Sequence, residues 1–366
     1  MKQRKILAIV LAAMMLMSLL AGCGSSSGNT PAAPAAPAAE PAAPAAPASQ
    51  GSTAPVEGPT ANTGDLAGKT IALSSQHLGN QFNQGVLAGV TEQAKKYNFK
   101  LVTANAQSDT AQQVADLENF VAMGVDAIII GGGEGAAFEN VMKEMDEKGI
   151  TCITVDMSSA YADANITSDN FNGGEQMCLA VKNMINGQGN VLICTTPGWT
   201  SLEIRDTMLE SIVKFNSGLK IVDTISLSTE DAVNNYQKEV KAYLQGNPDI
   251  QWIFCDWGLA AVGSAQAVRE LGMQDQVIIS CVDADQVVLE EMKREDSPLK
   301  VVVGQYPDML GAGAVDLAAT ALSGGVLPTE AYAPIILIAK TNPSSWFSAP
   351  AIMTVDEAWA TLYPGA

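Results

Sequence analysis

From about residue 68 onward, short apolar runs alternate with longer segments in which apolar residues recur at helical spacing. Val114, Leu117 and Val121 show this helical spacing, while the apolar runs predict buried strands. The predicted strands are residues 70–74, 100–103, 126–130, 151–155, 190–194, 220–225, 252–255, 277–282 and 300–303. Continuous apolar strands separated by helices are typical of parallel sheets covered on both faces. The predicted fold class is therefore α/β, with two doubly wound lobes.

Polar residues follow several of these strands directly. In doubly wound sheets, ligands bind at the carboxyl ends of the strands, so these residues predict a binding cleft. They are residues 75–83, Asp156, Asp256 with Trp257, Asp283 and Gln305.

The N-terminal residues have the pattern of an export signal. A basic start precedes an uncharged apolar run over residues 6–20, which is short for a membrane span. The run ends in Leu20-Ala21-Gly22-Cys23, which resembles a bacterial lipobox, in which the cysteine becomes the lipid-carrying N-terminus. We expect a signal peptide over residues 1–22 and an extracytoplasmic protein held at the cell membrane only by a lipid on Cys23. An ordinary signal peptide with an incidental cysteine is the alternative.

Residues 23–67 predict a spacer. A Gly/Ser-rich stretch is followed by repeated Pro and Ala, a composition that cannot bury enough apolar surface to fold. The prolines favour a semi-rigid polyproline II conformation, which could hold a folded domain on the order of 100 Å from the membrane.

Charge and cysteine content limit the classes of partner and ligand that the protein can bind. The formal net charge of −19 argues against binding to nucleic acid or to anionic lipid surfaces. The 6 cysteines show no metal-binding spacing, and most of those beyond Cys23 lie in apolar runs. We interpret them as small buried hydrophobes. A single disulfide between two of them is the alternative.

No motif predicts catalysis, a metal or a cofactor. The chain has a single histidine, His77, and it lacks the GxSxG and HExxH patterns of hydrolases and metalloproteases. Residues 131–136 match the GxGxxA pattern of dinucleotide-binding turns, but Glu134 would face the pyrophosphate. We interpret that segment as a flexible strand-to-helix turn and expect the protein not to be an enzyme.

Several segments match one family in order and spacing. They are Asn80-Gln81-Phe82, Asp156, Ser168-Asp169-Asn170 with Gly173-Gly174, Thr200-Ser201 with Arg205, Asp283, and Gln305 before Tyr306-Pro307-Asp308. Through them, residues 69 to about 340 resemble the type I periplasmic sugar-binding proteins, the ribose/galactose-binding group.

The resemblance implies two doubly wound lobes joined by a three-segment hinge, with crossings near Ser168, Gln305 and Pro334. The N-terminal lobe would comprise residues 68–169 and 306–334, and the C-terminal lobe residues 170–305 and 335–362.

The resemblance also implies a set of ligand-binding residues. Their amide, carboxylate and guanidinium groups can each bond adjacent sugar hydroxyls, and aromatic rings cover the C–H faces of the sugar. Together with the polar and aromatic residues that follow the strands, the expected ligand-binding set is Asn80, Phe82, Asn83, Asp156, Trp199, Arg205, Asp256, Trp257, Asp283 and Gln305.

Three positions depart from the family pattern and leave the ligand open. Met157 stands where pentose binders often have Arg, Asn83 stands where a second aromatic is common, and Asp256-Trp257 replaces the usual Asn-Asp. We expect Trp257 to supply a stacking surface against the ligand, with Trp199 as the competing candidate.

The function implied is capture of a small polar ligand, a monosaccharide first of all, by a monomer that delivers it to the permease and ATPase subunits of an ABC importer. A polyol or nucleoside ligand, presentation to a membrane sensor, and quorum-signal uptake are alternatives. An exported oxidoreductase is a further alternative, and it would require the protein to bind a nicotinamide cofactor. A LacI-type repressor shares the fold, but the export signal and the lack of an N-terminal DNA-binding helix pair argue against that class.

Overall fold

A computed structural model describes residues 66–340 and 352–364. The predicted signal peptide, the predicted lipidation site Cys23 and residues 23–65 of the predicted spacer lie outside the described residues. Leu66, at the end of that spacer, is fully buried in an apolar cluster with Ile71 and Val90.

Strands and helices alternate along most of the chain. The strands are β1 (Thr70–Ser75), β2 (Lys100–Asn105), β3 (Ala127–Gly131), β4 (Thr151–Val155), β5 (Ala164–Ser168), β6 (Gly189–Thr195), β7 (Leu219–Ser226), β8 (Trp252–Cys255), β9 (Ile278–Val282), β10 (Leu299–Gln305), β11 (Glu330–Ala333), β12 (Ile335–Ala339) and β13 (Ile352–Met353). The helices are α1 (Gln81–Lys96), α2 (Thr110–Met123), α3 (Gly135–Lys148), α4 (Asn170–Met184), α5 (Thr200–Lys214), α6 (Ala232–Gly246), α7 (Gly258–Glu270), α8 (Gln286–Lys293), α9 (Pro307–Leu322) and α10 (Val355–Leu362).

The strands form two sheets. The first has the order β11-β5-β4-β3-β1-β2, and its strands are all parallel. The second has the order β13-β12-β10-β9-β8-β6-β7, in which only the β10–β12 pair is antiparallel. Apolar clusters cover both faces of each sheet, as the continuous apolar strands require. The predicted α/β fold with two doubly wound lobes is confirmed.

The chain passes between the two sheets at three places. It crosses between β5 and α4, between β10 and α9, and between β11 and β12. The numerical lobe limits given above stay predictions.

Helices α1 and α9 approach each other closely because glycines face each other there. A Cβ on Gly89 would lie 1.9 Å from the carbonyl oxygen of Asp308, and a Cβ on Gly311 would lie 2.1 Å from that of Val86. Since no side chain fits, both positions need glycine. This contact fixes α1, whose first turn carries Phe82 into the cavity described below.

The five cysteines of the described residues are all buried and unpaired, as expected of small hydrophobes: Cys152, Cys178, Cys194, Cys255 and Cys281. Across residues 66–340 and 352–364, no helix has the length and apolarity needed to cross a membrane.

Candidate ligand-binding site

A cavity of about 660 Å³ opens at the carboxyl ends of strands from both sheets, a size typical of small-molecule sites. Every predicted ligand-binding residue except Asp256 lines it, namely Asn80, Phe82, Asn83, Asp156, Trp199, Arg205, Trp257, Asp283 and Gln305. The parallel topology explains the convergence, since the carboxyl ends of all strands of one sheet meet at one edge.

Arg205 is the most buried charged group of the cavity wall, with 2% of its surface exposed. Its Nε donates to Asn170 Oδ1 (2.9 Å) and its Nη1 donates to the carbonyl oxygen of Asp256 (2.8 Å). With the Gln305 amide oriented so that donors face acceptors, Nη2 donates to the Gln305 side-chain oxygen (2.9 Å). A guanidinium has five N–H groups, so two remain for a ligand.

Two hydrogen-bonded chains run from Arg205 to the two carboxylates that line the cavity, Asp156 and Asp283. On one side, Asn170 Nδ2 donates to Thr167 Oγ1 (2.9 Å), and that hydroxyl donates to Asp156 Oδ1 (2.6 Å). On the other side, the Gln305 side-chain nitrogen donates to Asp283 Oδ1 (2.7 Å) in the same amide orientation. The relative positions of both carboxylates are therefore set through Arg205.

Both carboxylates occupy a strained backbone conformation. Asp156 follows β4 with φ 54°, and Asp283 follows β9 with φ 82°, a left-handed region that non-glycine residues seldom adopt. Strain of this kind persists where the surrounding structure holds it, and it clusters at functional sites. Each residue thereby turns away from its strand at the cavity edge.

Burial raises the pKa of both carboxyl groups. For Asp156, desolvation outweighs the hydrogen bond from Thr167 and the attraction of Arg205, which lower its pKa. For Asp283, desolvation again outweighs Arg205 and the Gly258 amide, which donates to Oδ2 (3.3 Å).

Three aromatic side chains line the cavity. Phe82 comes from the first turn of α1, whereas Trp199 and Trp257 directly precede α5 and α7. The Trp199 ring lies against Gly132, the residue directly after β3, where a Cβ would be 3.2 Å from ring atom Cζ3. The Trp257 ring packs against the apolar cluster of the second sheet, and its indole N–H is buried with no acceptor among the described residues.

Asp256 is the one predicted residue that the structure keeps out of the cavity lining. It is fully buried, and its Oδ2 accepts from Thr196 N (2.8 Å) and from Thr195 Oγ1 (2.9 Å). Because its carbonyl oxygen accepts from Arg205, Asp256 orients that guanidinium from behind.

The sequence pattern did not assign several lining residues to the ligand site, among them Ser108 and Glu230, whereas His77 lies within the predicted segment 75–83. These three residues lie in the loops that follow β1, β2 and β7, and the position after a strand was the available signal. The glycine-rich segment is also explained, because the side-chain amide of Gln113 donates to the Gly132 carbonyl (3.0 Å) and a Cβ on Gly133 would lie 2.7 Å from Phe138. Packing against Phe138 therefore accounts for Gly133 without a nucleotide.

Two α/β lobes with a polar, aromatic-walled cavity between them define a solute-binding protein of the hinged kind. The chain belongs to the periplasmic binding protein domain family, whose model matches residues 71–325. This confirms the family resemblance and the prediction that the protein is not an enzyme, and it agrees with an extracytoplasmic location.

Similar proteins cover nearly the whole folded part. The chain is 26% identical to the ribose import binding protein of Bacillus subtilis over 280 residues, covering 76% of this chain and 89% of that protein. An Agrobacterium vitis ABC transporter solute-binding protein with bound allitol is 27% identical with a TM-score of 0.72, covering 76% and 98% of the two chains. The 5-methylthioribose transporter solute-binding protein of Thermotoga lettingae, solved with that compound, is 25% identical with a TM-score of 0.73, covering 82% and 96%.

The stability of the protein should fall as pH rises from about 4 to about 7. The Thr195 hydroxyl also contacts Asp206 Oδ2 (2.6 Å), and one hydroxyl proton cannot serve two carboxylates. Burial above all raises the pKa of Asp256 to about 7 and that of Asp206 to about 6, so the folded state holds protons that the unfolded state releases. We expect Asp256→Asn to raise the melting temperature at pH 7.5 and to leave it unchanged at pH 4.

Calorimetry at both pH values checks this, with the exposed Asp146→Asn as the matched control. Equal effects of Asp256→Asn at the two pH values would contradict the prediction that Asp256 holds a proton in the folded state.

We expect Trp257→Ala to weaken ligand binding by at least the ~0.5–1.5 kcal/mol that an aromatic contact adds beyond buried area. Titrations followed by tryptophan emission would measure this for Trp257→Ala and Trp199→Ala. Trp359, which contacts Lys293 and Tyr363, supplies the control Trp359→Ala. Unchanged affinity and emission change in Trp257→Ala, together with a loss in Trp199→Ala, would make Trp199 the stacking ring.

Proposed function

We propose that this protein captures a monosaccharide or similar polyol between its lobes and delivers it to an ABC importer. The observation that carries the proposal is the chain of hydrogen bonds through Arg205, which sets two carboxylates and a guanidinium around one cavity with aromatic walls. The names of the similar proteins support it, since ribose, allitol and 5-methylthioribose all carry several hydroxyl groups.

Each part of the cavity matches one property of a polyol. Asp156 and Asp283 accept hydrogen bonds, and the two N–H groups left on Arg205 donate them, so adjacent hydroxyls can act as donor and acceptor at once. The faces of Phe82 and a tryptophan suit the C–H surface of a ring or an extended chain. Groups from both sheets contribute, so a bound ligand joins the lobes.

Existing contacts across the cleft indicate how the lobes meet. The backbone amide of Gln286, at the start of α8, donates to Gln81 Oε1 at the start of α1 (2.8 Å). Trp199 reaches Gly132, which follows β3 of the other sheet. A ligand that adds hydrogen bonds to both lobes favours this arrangement, and hinge closure of that kind is known for periplasmic binding proteins.

The proposal includes a lipid anchor on Cys23. Its support is the order Leu20-Ala21-Gly22-Cys23 directly after the apolar run. The Pro/Ala-rich residues that follow would separate the binding domain from the membrane.

We expect Asp283→Ala and Arg205→Ala each to weaken ligand binding roughly tenfold to hundredfold. Loss of a charged hydrogen-bond partner costs about 1.5–3 kcal/mol. A thermal-shift screen over pentoses, hexoses, polyols and nucleosides identifies the ligand, because binding to the native state raises its stability. Calorimetric titration then measures the variants.

Arg294→Ala removes a half-exposed arginine with an ion-pair partner of its own, and it should bind as the wild type does. Full affinity in both Asp283→Ala and Arg205→Ala would refute the proposed site.

We expect Cys23→Ser to release the protein from the membrane or to leave its precursor uncleaved. The reason is that the serine hydroxyl cannot take the place of the thiol in a thioether-linked lipid. Fractionation and mass spectrometry of the N-terminus measure the outcome. Unchanged membrane retention of Cys23→Ser would contradict the anchor.

A further inference from the structure

One hydrogen bond joins the two lobes directly beside the ligand cavity. The backbone amide of Gln286, the first residue of α8, donates to the side-chain oxygen of Gln81, the first residue of α1 (2.8 Å). Helix α1 packs on the first sheet and α8 on the second. Gln81 lies between two residues that line the cavity, Asn80 and Phe82, but it is not itself among the described lining residues. The bond therefore connects opposing walls of the cavity without occupying it.

Helix α8 takes part of its N-terminal cap from the opposite lobe. The first N–H groups of a helix have no partner within it, and the side chain at the N-cap position often supplies an acceptor. Within the described residues, the N-cap residue Asp285 makes no such side-chain bond to α8. The Gln81 side chain supplies an acceptor from across the cleft instead. Opening the cleft removes that acceptor and leaves the Gln286 amide to water.

Both partners of this bond are held in place on their own lobes. At the start of α1, the Asn80 side chain accepts from the backbone amide of Asn83 (2.8 Å), and the glycine contact with α9 fixes the whole helix. On the other lobe, the Tyr363 hydroxyl donates to the carbonyl oxygen of Ala284 (2.8 Å), two residues before Gln286. Relative motion of the lobes therefore acts on the bond between them directly.

A ligand enclosed between two lobes can leave only after the lobes separate. A contact that exists only in the closed arrangement lowers the free energy of that arrangement, whether or not the contact touches the ligand. It raises the population of the closed form and slows release of the ligand. Entry through the open cleft is little affected, because the contact is absent there.

We infer that Gln81 is a positioning residue that keeps the lobes closed over a bound ligand by capping α8 of the opposite lobe at Gln286. The inference rests on the proposed function, since the ligand retained is the one held in the cavity. Gln81 then contributes to affinity through the rate of release, and each member of the pair contributes only while the other is present.

Two glutamines on the first turn of α1 provide a matched comparison. Gln81→Leu removes the acceptor at similar side-chain size. Gln84→Leu makes the same change at an exposed glutamine, whose amide donates to the Leu78 carbonyl oxygen of its own lobe (3.0 Å). Stopped-flow tryptophan fluorescence, with the tightest-binding compound of the sugar and polyol panel, measures the rates of association and release.

We expect Gln81→Leu to release the ligand roughly two- to tenfold faster than the wild type, which is the effect of one net hydrogen bond. Its association rate should stay within about twofold of the wild type, because ligand enters the open form. Gln84→Leu should match the wild type in both rates. A purely structural role of Gln81 would not divide the two rates in this way.

Gln286→Pro removes the donor from the other side of the cleft. Proline has no N–H and is favoured at the first position of a helix, where Gln286 stands. Asp285 has φ −57° and ψ 154°, outside the helical region, as a residue before proline prefers. We expect Gln286→Pro to release the ligand as fast as Gln81→Leu does. The double variant should release it no faster than the faster single variant, because all three lack the same bond.

Two kinetic results would overturn the inference and leave the proposed function intact. One is release from Gln81→Leu as slow as from Gln84→Leu, and the other is a pair of single-variant effects that multiply in the double variant. If no panel compound binds, the proposed function fails, and X-ray scattering by the unliganded protein decides the inference alone. We expect a larger radius of gyration in Gln81→Leu and Gln286→Pro than in the wild type and Gln84→Leu, and equal radii would then overturn the inference.

Discussion

A buried guanidinium stays charged, so Arg205 must find acceptors inside the protein, and the rest of the site depends on where it finds them. Asn170 lies just after the first crossing between the sheets, and Gln305 lies just before the second. The same group that lines the cavity therefore also ties together two of the three crossings. Binding and the hinge share one set of hydrogen bonds, so a ligand that moves Arg205 acts on both.

The acidic residues follow from this arrangement. Asp156 and Asp283 end corresponding strands of the two sheets, and both have left-handed backbone angles that point them away from their strands. Each is then held by a side chain that is itself held by Arg205 or by its partner Asn170. Strained backbone, two partly buried carboxylates and one arginine are thus joined by hydrogen bonds at the base of the cavity.

The apolar pattern was enough to predict the central strands of both sheets, because each is buried on both faces. Strand β5 was not predicted, because its buried residues include Asn165, Thr167 and Ser168, which interrupt the apolar run. Asn165 bonds to Thr154, and Thr167 accepts from Asn170. Strand-end position correctly predicted most lining residues. It could not separate Asp256 from Trp257, because adjacent residues after a strand face opposite directions and only the fold shows which one meets the cavity.

If Asp156 and Asp283 act as one unit through Arg205, breaking both connections differs from the sum of breaking each, and a double-mutant cycle measures that difference. Thr167→Val breaks the chain toward Asp156, and Gln305→Met breaks the chain toward Asp283, while neither changes a charge. The measurement is the affinity of the tightest-binding panel compound in the wild type, both single variants and the double variant. We expect a coupling energy within the ~0.5–3 kcal/mol typical of residues in one network. Additivity within ~0.3–0.5 kcal/mol, as for independent sites, would contradict it.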